Sequence, residues 1–178
     1  MTEEDNEILD AVLRGNFYEA DVIYEKSKYP PRPCIPRPWL TRTNVWLAGN
    51  GRLAILQWGI KHGMTSGCGE QLCASAARNG HLDVLVWARD AGYSWDAKTC
   101  SGAAEGGHLD ILKWARNHGC PWDSDTCAMA AKGGYMRIIK WARNNWCIWD
   151  AEVCANSARG GHFELLKWAR ECECEWDE

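Results

Sequence analysis

The sequence predicts an all-α solenoid of about six helix-turn-helix units, and three observations lead there. First, a 27-residue phrase, clearest as WDAKTCSGAAEGGHLDILKWARNHGCP from Trp95 to Pro121, returns at Trp122–Ile148 and again from Trp149. Second, its anchors keep step: Trp95, Trp122, Trp149 and Trp176; Cys73, Cys100, Cys127 and Cys154; Gly80, Gly107, Gly134 and Gly161; Trp87, Trp114, Trp141 and Trp168. A fixed period of this size marks an array in which one supersecondary unit stacks on copies of itself. Third, each period holds two short stretches of helical spacing divided by a glycine turn, and neither stretch can hide its apolar face alone.

Within the phrase, Asp96 is placed to cap the first helix by accepting hydrogen bonds from free amides of the next turn. Trp95 then precedes the cap and Cys100 falls at the fourth helical position, a pairing that packs as a hydrophobic staple. Trp122/Cys127 and Trp149/Cys154 repeat it. At 100° per residue Cys100, Ala103 and Ala104 share one face, with Lys98, Gly102 and Glu105 opposite. Gly106-Gly107 ends this helix and turns the chain. The second helix, Leu109–His118, gathers Ile111, Leu112, Trp114 and Ala115 on one arc and Asp110, Lys113, Arg116 and Asn117 on the other. Asp110 near its start and Arg116 near its end suit the helix dipole. Gly119 supplies the left-handed turn that follows.

Taken in order, residues 3–14 and 17–27 read as two helices, lined by Ile8, Leu9, Val12 and Leu13 and by Phe17, Ala20, Val22, Ile23 and Tyr24. The turn Arg14-Gly15-Asn16-Phe17 matches Asn79-Gly80-His81-Leu82, so residues 1–28 form a degenerate capping repeat with an acidic, solvated start. Residues 29–38 form a Pro-rich insertion, because Pro removes amide donors and disfavours helix before it. It accounts for the spacing of 36 residues between Gly15 and Gly51, nine more than one period. Its Pro33-Cys34-Ile35-Pro36 segment is either a rigid spacer or a polyproline II ligand for an SH3-like domain. Residues 39–178 carry the array proper. Its first unit has helices near Thr41–Ala48 and Leu53–Lys61 and two extra residues in the Met64–Gly67 turn. Its last ends in ECECEWDE, which reads either as an acidic cap or as the cut edge of a longer array.

Composition narrows the function. A formal charge of −4 and a pI near 5.8 argue against a nucleic-acid partner, which calls for a basic face. There is no apolar run of membrane-spanning length, and the N-terminus lacks a secretion pattern, so an intracellular protein without a membrane role is expected. Seven of the ten cysteines occupy two repeat-locked positions, the set beginning at Cys73 and the trio Cys120, Cys147 and Cys174. Equivalent positions on stacked helices lie about 8–10 Å apart, beyond the about 7 Å Cα reach of a disulfide. Bridges between like positions are therefore not expected. Zinc spacing is absent, so no metal or other cofactor is expected, and the thiols read as small buried hydrophobes.

The fragment GGHLDILKWARNHG resembles the GHLEIVKLLLEHGA half of an ankyrin repeat, and AAEGGH resembles the turn before it. The match covers Gly107–Gly119 and recurs at Gly80–Gly92, Gly134–Asn145 and Gly161–Cys172. Lys98-Thr99-Cys100-Ser101 stands where the family has TPLH. The link between units is about six residues shorter than in the 33-residue form, which removes the long β-hairpin finger. This Trp-rich variety is similar to the ankyrin arrays of giant DNA viruses and some protists, which would put it in a host cytoplasm. Some of those carry an F-box, a pattern residues 1–28 do not show. The resemblance implies a non-catalytic protein–protein interaction module whose partner is not named by the sequence.

The surface suggests where such a partner would sit. Outward positions of the first helices differ from unit to unit: Gln71, Ser75 and Arg78; Lys98, Gly102 and Glu105; Asp125, Met129 and Lys132; Glu152, Asn156 and Arg159. Variation on one face fits a concave recognition surface, and equally fits unconstrained solvent positions. Trp146 replaces the turn glycine of Gly92 and Gly119, with Tyr135, Met136, Arg137 and Ile148 also off-pattern. It either packs on the next unit or offers an exposed aromatic anchor. His81, His108 and His162 read as locally bonded turn residues, and Arg89, Arg116, Arg143 and Arg170 as a convex ladder that is either a solvated face or a contact for an acidic partner. A monomer is expected, or weak self-association through an unfinished C-terminal unit.

Overall fold

A computed structural model describes residues 3–26, 38–62 and 69–174. Among these residues it is all-helical, with no strand and twelve helices. They are α1 (Glu3–Leu13), α2 (Phe17–Lys26), α3 (Pro38–Gly49), α4 (Leu53–Lys61), α5 (Gly69–Arg78), α6 (Leu82–Asp90), α7 (Ala97–Glu105), α8 (Leu109–Asn117), α9 (Ser124–Lys132), α10 (Met136–Asn144), α11 (Ala151–Arg159) and α12 (Phe163–Glu171). Each odd helix packs on the even helix after it, and from α3 onward the odd helices pack on one another in order, α3 to α5, α7, α9 and α11. α3 starts earlier than its pattern suggests because Pro38 takes the first helical position, where the missing amide is no loss. The Pro-rich insertion, the Met64–Gly67 turn and Trp176 lie outside the described residues.

Position in the row explains composition. α7 lies between α5 and α9 and buries Thr99, Cys100, Ser101, Gly102, Ala103 and Ala104, most of its circumference. Small residues permit that: a methyl added at Gly102 would sit 2.8 Å from the carbonyl oxygen of Ala74. Gly102 is thus an inter-helix contact and not part of an outward face. The even helices add Val84, Leu85, Ile111, Leu112, Ile138, Ile139 and Leu165 to one continuous core. A second cluster, Ile8, Ala11, Val12 and Ala20 with Trp58, holds α1 and α2 against α4. There Asp21 accepts from the Trp58 indole at 2.6 Å and pairs with His62 at 2.8 Å and Lys61 at 3.7 Å.

The unit boundaries are tied by side chains whose roles the spacing left open. Asp96 and Asp150 cap their helices as expected, each accepting from the amide two residues on at 3.1 Å, whereas Asp123 has the same extended backbone without that bond. Trp95 packs edge-on to Trp114 at 5.8 Å, and the pairs Trp122–Trp141 and Trp149–Trp168 repeat the geometry. The arginine ladder is part of this joint. Arg89, Arg116 and Arg143 place their guanidinium groups 4.2, 4.2 and 3.9 Å from the rings of Trp95, Trp122 and Trp149. Arg89 and Arg116 also donate to the carbonyls of Tyr93 and Cys120. The histidines likewise reach across units. The rings of His81, His108, Tyr135 and His162 cover Gly51, Gly80, Gly107 and Gly134, where an added Cβ would lie 2.6–2.8 Å from a ring atom. His162 Nε2 lies 3.1 Å from the carbonyl of Lys132, so this bond joins units and is not local to the turn.

Candidate partner-binding face

Because α5, α7, α9 and α11 lie side by side, equivalent residues of the units form rows. One row, Gln71, Lys98, Asp125 and Glu152, is exposed throughout and carries a different side chain in each unit. It consists of early helical positions, which project beyond the contacts between neighbouring helices. A second row, Arg78, Glu105, Lys132 and Arg159, is internally paired. Glu105 bridges Arg78 at 2.8 Å and Lys132 at 3.3 Å, joining three units through one half-exposed carboxylate. Arg159 turns instead to its own helix, 3.7 Å from Glu152 and 3.0 Å from the Asn156 amide oxygen. Surface pairs of this kind contribute under about 1 kcal/mol each, so they hold these side chains only weakly.

The third row, Ser75, Gly102, Met129 and Asn156, was expected to face outward, and beyond Ser75 it does not. Gly102 meets α5, Met129 is half-buried, and Asn156 is only 6% exposed, donating to the carbonyl of Ala128 at 3.2 Å. A helix flanked on both sides by neighbours buries a wider arc than a two-sided wheel allows. Asn156 therefore positions α11 on α9 and belongs to the joint.

The pattern did not single out the groove at the other end of the row. Val45, Trp46 and Gly49 of α3, with Asn50 just after it, face Gln71, Ser75 and Asn79 at α5 around a cavity of about 440 Å³. The Trp46 ring is exposed, and Asn50 and Asn79 each donate to a carbonyl one turn back, at 2.7 and 2.9 Å. Those bonds hold both amides against the ends of their own helices at the rim of the groove. A signal existed: aligning Gly51 with Gly80 puts Trp46 at the place of Ser75, where later units carry Gly, Met or Asn.

Trp146 is 91% exposed and holds φ 67°, a left-handed backbone conformation, with Ile148 beside it in sequence at 73%. It does not pack on the next unit. A left-handed conformation is strained by about 1–2 kcal/mol for a residue with a Cβ, and no burial here offsets it. Among the described residues no three His, Cys, Asp or Glu side chains converge as a metal site, and no helix is long and apolar enough to cross a membrane.

No protein-family model and no curated protein sequence matches this chain.

Proposed function

We propose that the chain is an ankyrin-like solenoid acting as a non-catalytic protein-binding module, with the row of first helices as its recognition face. One observation carries the reading. Successive units repeat the same buried residues, Ala76, Ala103 and Ala130 among them, while the exposed row changes from Gln71 to Lys98, Asp125 and Glu152. A rigid scaffold presenting a non-repeating line of side chains suits recognition of one extended surface. The groove at Trp46 extends that line with an aromatic ring and the amide side chains of Asn50 and Asn79. Paired Glu105 and Lys132 and the charged Lys98, Asp125 and Glu152 supply complementarity. Trp146 is the apolar anchor at the turn, since exposed Trp and Arg dominate interface energetics.

The test places a photo-crosslinking residue at Lys98 or Asp125, on the proposed face, and at Lys113 or Lys140, on the even helices. Adducts with one protein formed only from the first pair support the face. Equal labelling from both pairs would sink it. Trp146→Gly provides a second arm: glycine relieves the left-handed backbone, so stability should hold or rise by about 1 kcal/mol while partner affinity drops at least tenfold. Unchanged affinity removes Trp146 from the interface.

A further inference from the structure

The two repeat-locked cysteine positions meet inside each unit. Cys100 on α7 hydrogen-bonds the thiol of Cys120, which follows α8, and Cys120 donates onward to the carbonyl of Asp96 at 3.4 Å. Cys127 and Cys147 repeat the arrangement, with Cys147 donating to Asp123 at 3.3 Å. Cys154 and Cys174 complete a third pair, with Cys174 on Asp150 at 3.3 Å. All six thiols are free and buried. The spacing that disfavours disulfides between like positions does not apply to these pairs, which join two different positions of one unit.

We propose that the array is a ladder of three dithiol sites, Cys100–Cys120, Cys127–Cys147 and Cys154–Cys174, each of which closes to a disulfide when it meets a small-molecule disulfide. In the first step a cysteine thiolate attacks the oxidant RSSR, forming a Cys–S–SR bond and releasing RS⁻. Its partner thiolate then attacks the cysteine sulfur of that mixed disulfide, forming the Cys–Cys bond and releasing the second RS⁻. Two thiols of the protein lose two protons and two electrons, and the oxidant leaves as two molecules of thiol.

Placement selects the attacking group. Cys120 and Cys147 sit in connecting segments whose neighbours Gly119, Pro121, Trp146 and Ile148 are exposed, so a local movement of the segment presents them without unwinding a helix. Cys100 and Cys127 are fixed within helices and suit the resolving step. The hydrogen bond from Cys100 also draws the Cys120 thiol below its usual range, helped by Arg116, and Cys127 does the same for Cys147. Burial and the Cys154 contact instead push Cys174 up to about 12, so the third pair closes more slowly than the other two. Cys73 is a built-in control, because Tyr93 occupies the place of its partner. The geometry gives the oxidised chain a consequence: each bridge ties the link after a second helix to the first helix of the same unit.

The full-length folded chain is incubated with oxidised glutathione, remaining thiols are alkylated, and cross-links are mapped by mass spectrometry of a non-reducing digest. The expected result is three cross-links, 100–120, 127–147 and 154–174, each lowering the mass by about 2 Da, with Cys73 alkylated and the thermal midpoint raised. Cys120→Ala should remove the first cross-link alone and leave the other two, so loss of one site is separable from loss of fold. Persistence of all six thiols overturns the proposal, as do glutathione adducts that never resolve. Cross-links such as 73–120 or 100–147, or bridges that form only in denaturant, overturn it as well.

Discussion

Thr126 holds a fully buried hydroxyl that finds no hydrogen-bond partner, at the place where the next unit has Val153. An unpartnered buried hydroxyl has lost its water without compensation, a penalty of about 1–3 kcal/mol. Thr126→Val keeps the shape, so the urea midpoint should rise by an amount worth about 1 kcal/mol; a fall would show that the hydroxyl is bonded in solution. Trp114 illustrates the opposite case. Its ring is half-buried between Trp95 at 5.8 Å and His118 at 4.2 Å. Trp114→Ala should therefore cost about 3 kcal/mol in urea unfolding, and a loss under about 1 kcal/mol would mean the indole pair is incidental. The indole's burial was legible from its period. Its partners were not, because a local staple looks no further than Trp95 and Cys100, whereas the fold also sets Trp95 against Arg89 and Trp114 and Cys100 against Cys120. The recurring interval from Arg89 to Trp95, Arg116 to Trp122 and Arg143 to Trp149 held that information in plain view.

For the elements, spacing alone was enough to place helix, turn and helix. α8 ends one residue short of its expected Leu109–His118, and the caps Asp96 and Asp150 and the positive-φ glycines fall where their chemistry demands, while Asp123 keeps the position without the bond. What a single unit could not reveal is how many sides of a helix face a neighbour. The wheel separates Lys98, Gly102 and Glu105 from the core, yet the presence of α5 and α9 on either side buries Gly102 and leaves only Lys98 and part of Glu105 in solvent. The same crowding distinguishes two kinds of glycine. A Cβ at Gly106 would lie 1.9 Å from the carbonyl oxygen of Arg78, part of a helix that cannot step aside. At Gly119 a Cβ meets open space, and only its φ of 81° resists a side chain. Gly106→Ala should thus cost more than about 3 kcal/mol by forcing α5 and α7 apart, against about 1–2 kcal/mol for Gly119→Ala. Thermal melts of the two variants decide it, and equal losses would mean that the helices are less tightly apposed than described.

At the level of the whole molecule, the array has one seam among the described residues. The continuous core runs from Leu47 to Cys174, while α1 and α2 rest on a separate cluster whose link to the rest is α4, through Trp58 and Ile55. The polar clasp on that seam is Asp21. The indole N–H of Trp58, with Lys61 and His62 alongside, holds its carboxyl below its ordinary value of 3.8. A depressed carboxyl stabilises the folded seam fully above that pH and gives up its contribution as pH falls through the lower folded value. Amide exchange should accordingly rise in α1 and α2 on acidification below about pH 4, while α7 to α10, which lack this clasp, stay protected. Asp21→Asn should bring the same local exchange at neutral pH and erase its acid dependence, leaving Trp114 fluorescence unchanged. If the variant exchanges uniformly along the chain, or if wild-type α1 and α2 stay protected in acid, the clasp is not what couples the first unit to the stack. Apolar contact through Ile55 and Trp58 would then be sufficient by itself, and the seam would answer to temperature and not to pH.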